Sequence, residues 1–253
     1  SNGVVHVIDK VLLPANKTIV ETAVATPSLS ILVEAVTAAN LGATLSGSGP
    51  FTVFAPTNDA FGLLASQLGF RSIGELVEAL PASTLESILL YHVLPGTISG
   101  PDLRAGGASQ NTSLVQSGVT QALALDTTTS SVRITDSIGR IGIIGLTDIP
   151  NDNGVFHIID RVLLPPGLLT VLQTVQSNPE RFQGLINNVS PALTTVLNDP
   201  AASYTLFAPV DAAFEAAAPL LQTLAPSQIE AVLRFHVLGT RVLSSEVAFG
   251  TPV

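Results

Sequence analysis

The chain has no cysteine, methionine or tryptophan among its 253 residues, and it is poor in charge and in aromatic side chains. Without cysteine it has no disulfide framework, no zinc-thiolate site and no thiol nucleophile. Charged residues make up only 11% of the chain, and the net charge of −9 leaves no basic surface for a phosphate backbone. We therefore expect neither nucleic acid nor an anionic membrane surface as a direct partner.

Long apolar runs are also missing. No stretch approaches the roughly 18 to 20 residues that span a bilayer, so we expect no direct membrane insertion of this segment. The signatures GxxxxGK, HExxH and GxSxG do not occur, which argues against common nucleotide-binding and hydrolase sites. What the chain does have is 46% hydrophobic residues, enough to bury sizeable cores.

The most informative feature is a long repeat. The string NGVVHVIDKVLLP at 2–14 returns as NGVFHIIDRVLLP at 153–165, with ten of thirteen positions identical. A spacing of 151 residues indicates repeated domains rather than a solenoid of short repeats. In the second copy both alternating faces are largely apolar, which predicts a strand buried on both sides that runs to Pro165.

Two further strings follow the same repeat. FTVFAPTNDAF at 51–61 returns as YTLFAPVDAAF at 204–214, and YHVLPG at 91–96, which ends a predicted helix, returns as FHVLGT at 235–240.

Local patterns predict the elements between these strings. Ser-x-x-Glu capping boxes at Ser72, Ser83 and Ser227 predict helix starts. Alternating apolar residues predict strands at 122–126, 131–135 and 140–146, and the Gly- and Ser-rich stretch 96–118 predicts a loop.

In their order, these three motifs resemble the fasciclin domain, a module of extracellular adhesion proteins that often occurs in tandem. The resemblance implies an α+β fold, a wedge-shaped β-sandwich with packed helices, in tandem. It divides the chain into three parts. Residues 1–14 are expected to form the C-terminal strand of a preceding unit, 15–165 a complete domain, and 166–253 the N-terminal part of a second domain.

The resemblance also implies a function. Fasciclin domains act in cell adhesion or in matrix and cell-wall association, on secreted or surface glycoproteins that are often lipid-anchored. The implied partner is a cell-surface receptor or a matrix or wall component, and self-association is a further option. Some members are reported to bind integrins through a Tyr-His pair, which falls here on Tyr91 and His92. In the second unit Phe235 replaces the tyrosine.

The sequence leaves open whether Tyr91 and His92 are exposed. They close a helix whose apolar residues Leu85, Ile88 and Leu89 are expected to point inward, so both can equally belong to the core.

The four histidines follow the repeat, because His6 pairs with His157 and His92 with His236. A histidine in every copy indicates a role in the architecture of the domain. His157 and Asp160 are separated by an odd number of residues, which places them on opposite faces of a strand and rules out a catalytic couple. We predict no catalytic residue, and we expect Asp160 to accept hydrogen bonds from its neighbours.

Two kinds of motif bear on metal binding and glycosylation. The string IPNDNG at 149–154 only partly matches a calcium loop, and we predict neither a metal nor another cofactor. N-x-S/T sequons predict glycosylation at Asn16, Asn111 and Asn188. Asn16 and Asn111 are expected in exposed loops, whereas Pro191 makes Asn188 the poorer acceptor.

The leading hypothesis is therefore a non-enzymatic adhesion or surface-association module, extracellular or at the cell surface, with any lipid anchor carried by a segment outside this chain. The alternative is a binding module for a small apolar ligand or a polysaccharide, held between helices and sheet. An enzyme ranks third. We also expect the second unit to expose apolar surface, and the strand at 2–14 to pair onto the open edge of another unit.

Overall fold

A computed structural model of the chain describes residues 16–105, 109–127, 131–199 and 201–242. The predictions for residues 1–14, including His6 and the pairing of that strand, lie outside the described residues. Within the described part, no helix is long and apolar enough to cross a membrane.

The first unit consists of seven helices and seven strands over its described residues. The helices are α1 (Ile19–Val24), α2 (Ser30–Ala38), α3 (Gly42–Leu45), α4 (Asn58–Gln67), α5 (Ile73–Ala79), α6 (Ala82–Tyr91) and α7 (Gly100–Ala105). The strands are β1 (Phe51–Pro56), β2 (Val93–Pro95), β3 (Ser109–Gln116), β4 (Val119–Asp126), β5 (Arg133–Thr135), β6 (Ile141–Asn151) and β7 (Gly154–Ile159).

The strands form one bent sheet in the order β2-β1-β7-β6-β5-β4-β3. The pair of β1 and β7 is parallel, and the other neighbours are antiparallel. The long strand β6 pairs with β5 through its first residues and with β7 through the rest, with register shifts between Ile144 and Ile149. Such bulges bend a strand, so β6 carries the chain from one half of the sandwich to the other.

Two apolar cores lie on the two faces of β1. Val53 and Ala55 point toward the helices α1, α2, α4 and α6, whereas Phe54 points into the space between the two halves of the sheet. β7 is also buried on both faces, with Phe156 in the helical core and Ile159 in the other. The predicted α+β fold, a wedge-shaped β-sandwich with packed helices, is confirmed.

The second unit repeats the start of this plan. Its described elements are α8 (Val171–Gln176), α9 (Pro179–Asn188), α10 (Pro191–Leu197), β8 (Thr205–Leu206), α11 (Asp211–Leu221), α12 (Pro226–Phe235) and β9 (Val237–Leu238). The repeat extends to single hydrogen bonds. The amide of Phe54 donates to the carbonyl of His92, and the amide of Phe207 donates to that of His236, both at 2.9 Å.

The second unit exposes apolar side chains, as expected. Phe235 is 90% exposed and Phe207 43%, whereas their counterparts Tyr91 and Phe54 in the first unit are fully buried.

The helix starts show which capping predictions were wrong. Ser72 caps α5 by accepting a hydrogen bond from the amide of Glu75, but the Glu75 carboxylate bonds the amide of Arg71 instead of closing the box. Ser83 and Ser227 do not cap their helices, because each is the second residue of its helix. The helices α6 and α12 begin at Ala82 and Pro226. Neither Pro81 nor Ala225 offers a capping side chain, and Pro226 at the first position of α12 has no amide hydrogen to satisfy.

Complete boxes occur at two threonines that sequence analysis did not single out. Thr18 caps α1 with Glu21 as its partner, and Thr170 caps α8 with Gln173.

The predicted loop at 96–118 was also wrong. Its described residues include α7 and the eight-residue strand β3, whose Thr112 is buried and donates to the carbonyl of Gln121 on β4. Polar residues mark β3 because it is an edge strand of the sheet, with only β4 beside it in the ladder. The three predicted strands at 122–126, 131–135 and 140–146 correspond to β4, β5 and the first half of β6.

Candidate functional site

Tyr91 and His92 end α6 and are 0% and 1% exposed. The Tyr91 hydroxyl donates to the carbonyl of Ala122 on β4 at 3.0 Å, which ties the helix to the far half of the sheet. Burial raises the pKa of Tyr91 to about 12, and the nearby Asp136 charge acts in the same direction. In this arrangement neither side chain reaches solvent.

Both ring nitrogens of His92 are engaged. Nδ1 lies 2.7 Å from the carbonyl of Ile88, and Nε2 accepts from the amide of Leu163 at 2.9 Å. Because a carbonyl only accepts, Nδ1 carries the proton and the ring is neutral. The pKa of His92 is lowered to about 4, mainly by burial, and the charge of Arg140 acts in the same direction. A second proton on this ring would break the bond to Leu163.

The sequence pattern predicted that the motif NGVFHIIDRVLLP forms one strand running to Pro165, and this prediction was wrong. β7 ends at Ile159, and the following residues 160–165 form no ladder. We call 160–165 the closing segment. Its residues Val162, Leu163 and Leu164 are each at most 1% exposed, because consecutive side chains enter both cores.

Side chains replace the ladder along the closing segment. Leu163 donates to His92, Leu164 donates to the Asp136 carboxylate at 3.1 Å, and the carbonyl of Leu164 accepts from Ser137 at 2.8 Å. The guanidinium of Arg140 donates to the carbonyl of Val162. Each of these buried backbone groups would otherwise be unsatisfied, so the side chains fix the path of the segment.

Asp136 and Arg140 form a buried ion pair, with both side chains at 0% exposure and 2.8 Å between Oδ2 and Nη2. The other carboxylate oxygen accepts from the amides of Ile138 and Arg140. The carboxylate and two of the guanidinium nitrogens are thus hydrogen-bonded, as buried charges require, whereas Nη1 of Arg140 is buried without a partner. Sequence analysis missed both residues, because DSIGR reads as an ordinary polar turn.

The NDNG turn of 151–154 binds the helices to the sheet. Asn153 is 5% exposed, accepts from the amide of Ile19 on α1, and donates to the carbonyls of Leu45 and Gly47. Gly154 has φ of 152°, and a Cβ there would lie 1.9 Å from the carbonyl oxygen of Phe51. Asparagine therefore satisfies three buried groups, and glycine permits the close approach of β1.

His157 lies on β7 with both nitrogens engaged. Nε2 lies 2.9 Å from the carbonyl of Ile98, Nδ1 accepts from the amide of Asp148, and the ring packs on Phe54 at 5.6 Å. Burial lowers the pKa of His157. Asp160 accepts from the amide of Ile143 at 2.7 Å, as expected, and the structure does not bring it together with His157.

In the described ranges, no group of three or more His, Asp or Glu side chains is placed so that it could hold a metal ion. In the IPNDNG string, the side chains of Asn151 and Asn153 are bonded to protein groups. Asn151 accepts from the Thr22 hydroxyl and donates to the carbonyl of Ile149.

The three sequon asparagines differ in accessibility. Asn16 is exposed, as expected, ahead of α1. Asn111 is also exposed, but it lies on β3 rather than in a loop. Asn188 ends α9 and donates from its amide nitrogen to the carbonyl of Gly184 at 2.7 Å. Asn188 is therefore only partly exposed and already bonded to its own helix, unlike the other two asparagines.

An apolar pocket of about 70 Å³ opens among the helices of the first unit. Buried residues form its floor, namely Ile19, Ala23, Leu32, Val36, Leu45, Val53, Phe54, Leu89, His92, Val93 and Phe156. Partly or fully exposed residues form its mouth: Val20, Val33, Thr37 and Gly42. We call it the helical pocket.

Comparison with known proteins gives consistent matches. The family model for the fasciclin domain matches residues 27–165 and 180–253. Protein sll1483 of Synechocystis sp. is 38% identical over 176 residues, covering 63% of this chain and 80% of that protein. Periostin of Homo sapiens is 31% identical over 252 residues, covering 99% of this chain and 27% of periostin. The chain thus spans about a quarter of the length of periostin.

Among solved structures, a FAS1 domain pair from the insect cell adhesion molecule Fasciclin I aligns with a TM-score of 0.44 and 18% identity, covering 83% of this chain and 72% of that one.

Proposed function

Because the chain belongs to the fasciclin domain family, we propose that it is an extracellular, non-enzymatic module for cell adhesion or for association with a matrix or cell wall. The observation that carries the proposal is the double family match, over 27–165 and again over 180–253. A domain that recurs in one chain suits a protein that holds surfaces together, because tandem copies raise the local concentration of binding sites without new contacts.

The proposed domain boundaries are 1–14, 15–165 and 166–253. The shared hydrogen bond from Phe54 to His92, and from Phe207 to His236, supports a common origin of the two larger parts. The side chains of His92 and His157 support the non-enzymatic assignment. In each histidine both ring nitrogens are hydrogen-bonded to backbone groups, so neither ring is free to take a proton from a substrate.

The proposed partner is a cell-surface receptor or a component of matrix or wall, with self-association as a second mode. The proposed location is outside the cell or on its surface, with glycans at Asn16 and Asn111 and any lipid anchor in a segment outside this chain. Both asparagines are exposed, which supports modification there.

A direct adhesive contact by Tyr91 and His92 stays a prediction of the family resemblance. Contact with a receptor requires both side chains to leave the core, and hydrogen bonds to three backbone groups hold them there: the carbonyls of Ala122 and Ile88 and the amide of Leu163. The geometry favours a different role, in which the pair fixes α6 and the closing segment, and adhesion uses the surface.

The helical pocket favours a second candidate function, the binding of a small apolar ligand. Its volume of about 70 Å³ is below the several hundred Å³ usual for ligands of drug size. Any free ligand is therefore small.

A cell-attachment assay tests the leading proposal. The chain, immobilised at graded density, is compared with the same chain denatured by heat and with a coating of serum albumin. We expect attachment that rises steeply with density and is lost on denaturation. Attachment no better than to albumin at any density contradicts the proposal.

A further inference from the structure

We propose that the helical pocket is an anchor site for a single aliphatic side chain, a leucine or isoleucine, presented by a partner protein between basic residues. The proposal rests on the proposed adhesive function and names the chemistry of the partner. The pocket lies on the side of the first unit formed by α1, α2 and α3, and Tyr91 is not among its lining residues.

The walls of the pocket select an uncharged group. The floor residues are apolar except for His92, and both nitrogens of that ring are already bonded to the protein. A charged group on the floor would lose its water without gaining a partner, which is strongly unfavourable. At the mouth, the Thr37 hydroxyl donates to the carbonyl of Val33, so its lone pairs remain available to a backbone amide of the partner.

The size of the pocket indicates how much of the partner enters. A water molecule needs about 10 to 15 Å³ of such volume, and a cavity of about 150 Å³ holds benzene. At about 70 Å³, the helical pocket has room for about three carbon atoms on the benzene scale and about five water-sized groups on the water scale, a range centred on four. That is the size of the side chain of leucine or isoleucine.

The small volume of the pocket also favours a side chain carried by a larger partner rather than a free small molecule. The best small ligands gain a limited free energy per atom, so a four-atom molecule reaches at best a dissociation constant of roughly tens of micromolar. A side chain carried by a protein adds contacts outside the pocket. A buried anchor with surrounding contacts is the usual arrangement of a protein interface.

Charge around the mouth adds a second selection. The exposed Glu21 and Glu34 directly follow the mouth residues Val20 and Val33. Lys17 is the single basic residue within 16–50, which contains α1, α2 and α3. The chain as a whole has a net charge of −9. Basic residues that flank the anchor therefore complement this surface and speed association.

The test uses two capped heptapeptides, Gly-Lys-Gly-Leu-Gly-Lys-Gly and the same peptide with alanine at the centre. Each is titrated into the full chain while methyl resonances of Val33, Val36 and Val53 are followed by NMR. We expect the leucine peptide to shift these resonances and to bind about tenfold or more tightly than the alanine peptide, because alanine leaves the pocket unfilled. Equal binding of the two peptides overturns the proposal.

Two variants locate the binding. Gly42→Phe places a ring at the mouth, where a new Cβ has no heavy atom within 4 Å and so costs little in folding. Ala43→Phe is the matched control, one residue away on α3, exposed and outside the pocket. We expect Gly42→Phe to weaken the leucine peptide about tenfold or more and Ala43→Phe to leave it unchanged. Unchanged binding by a folded Gly42→Phe variant refutes the site.

The alternative occupant is tested with N-acetyl-leucine amide. Binding of this molecule as tight as that of the leucine peptide contradicts the anchor and supports a site for free apolar ligands. The cell-attachment assay remains independent of these titrations. If cells attach but the leucine peptide does not bind, the anchor fails and the adhesive function stands.

Discussion

At the residue scale, the side chains that the sequence marks as chemical serve to hold the closing segment. His92 donates through Nδ1 to Ile88 and accepts through Nε2 from Leu163, an arrangement that only the neutral ring allows. The recurrence of histidine in both copies predicts this role from the sequence alone. Its partners cannot be predicted in the same way, because Leu163 lies 71 residues away and only the fold brings them together.

The neutral state of His92 makes stability depend on pH. Its folded pKa of about 4 lies below the usual 6.5, so the unfolded chain binds more protons between these values and stability falls as pH drops from about 6.5 to about 4. The full contribution of His92, present above pH 6.5, is on the order of 3 kcal/mol. The lowered pKa of His157 acts in the same direction.

Urea unfolding between pH 4 and pH 7 measures this effect. His92→Gln is expected to unfold at lower urea at pH 7 and to show a flatter dependence on pH than the wild type. A variant with the wild-type pH dependence rules out His92 as a source of the effect.

The buried pair of Asp136 and Arg140 provides a second prediction. Asp136→Ala leaves the Arg140 charge buried without its partner and frees the amide of Leu164, which we expect to lower the free energy of unfolding by about 3 to 5 kcal/mol. Glu230→Ala is the matched control, because Glu230 and Arg234 have the same spacing but are partly exposed, with side-chain exposures of 25% and 48%. We expect this control to stay close to wild type in the same urea titration. Equal losses in the two variants contradict the structural role of the buried pair.

At the element scale, the Asn-Gly that opens the repeated motif determines how helices meet sheet. Asn153 bonds α1, α3 and the loop after α3, so Asn153→Ala leaves three buried groups without partners. We expect a loss of roughly 3 kcal/mol in the free energy of unfolding. Asn187→Ala, on the exposed face of α9, is the control and is expected to remain near wild type. A small effect of Asn153→Ala in chemical denaturation contradicts the role assigned to the turn.

Strands were predicted correctly where apolar residues on alternating faces enter the two cores. The prediction failed in the closing segment, where side-chain hydrogen bonds take the place of pairing between strands. Phe54, Phe156 and Ile159 enter the cores that their alternation predicts. The apolar run continues through Leu163 and Leu164, so the sequence gives no sign that the strand stops at Ile159. The stop depends on distant donors and acceptors at Asp136 and His92.

Helix starts and the edge strand were harder to predict for a related reason. A serine followed by glutamate caps a helix only if the backbone turns there, and proline at the start of α12 moves the turn. β3 is polar because its edge faces outward, and polar composition alone also describes a loop.

At the scale of the whole molecule, the second unit presents apolar side chains beside the β8–β9 pair. Phe235 is 90% exposed, and such surfaces favour association. If the chain self-associates, Phe235→Ser is expected to shift it toward the monomer without lowering its stability, as seen by sedimentation equilibrium. Val24→Ser, at a residue 64% exposed on α1, is the control and should leave association unchanged. Equal association of wild type and Phe235→Ser contradicts a role for this surface.

The order of the motifs recurs in both units, and the fasciclin domain model matches the chain twice, over 27–165 and 180–253. The helical pocket could not be predicted, because its lining comes from α1, α2, α3, α6 and three strands that are far apart in the chain. The exposure of Tyr91 was likewise open in the sequence, because both faces of α6 near its end are apolar.

The most direct test of the proposed adhesion is cell attachment to surfaces coated with the wild type and with Tyr91→Phe at equal density. We propose that the chain is adhesive through its surface, whereas Tyr91 belongs to the core, where its hydroxyl bonds to the carbonyl of Ala122. Tyr91→Phe should therefore support attachment equal to wild type while unfolding at somewhat lower urea, by about 1 to 2 kcal/mol. Loss of attachment by a folded Tyr91→Phe protein would contradict it.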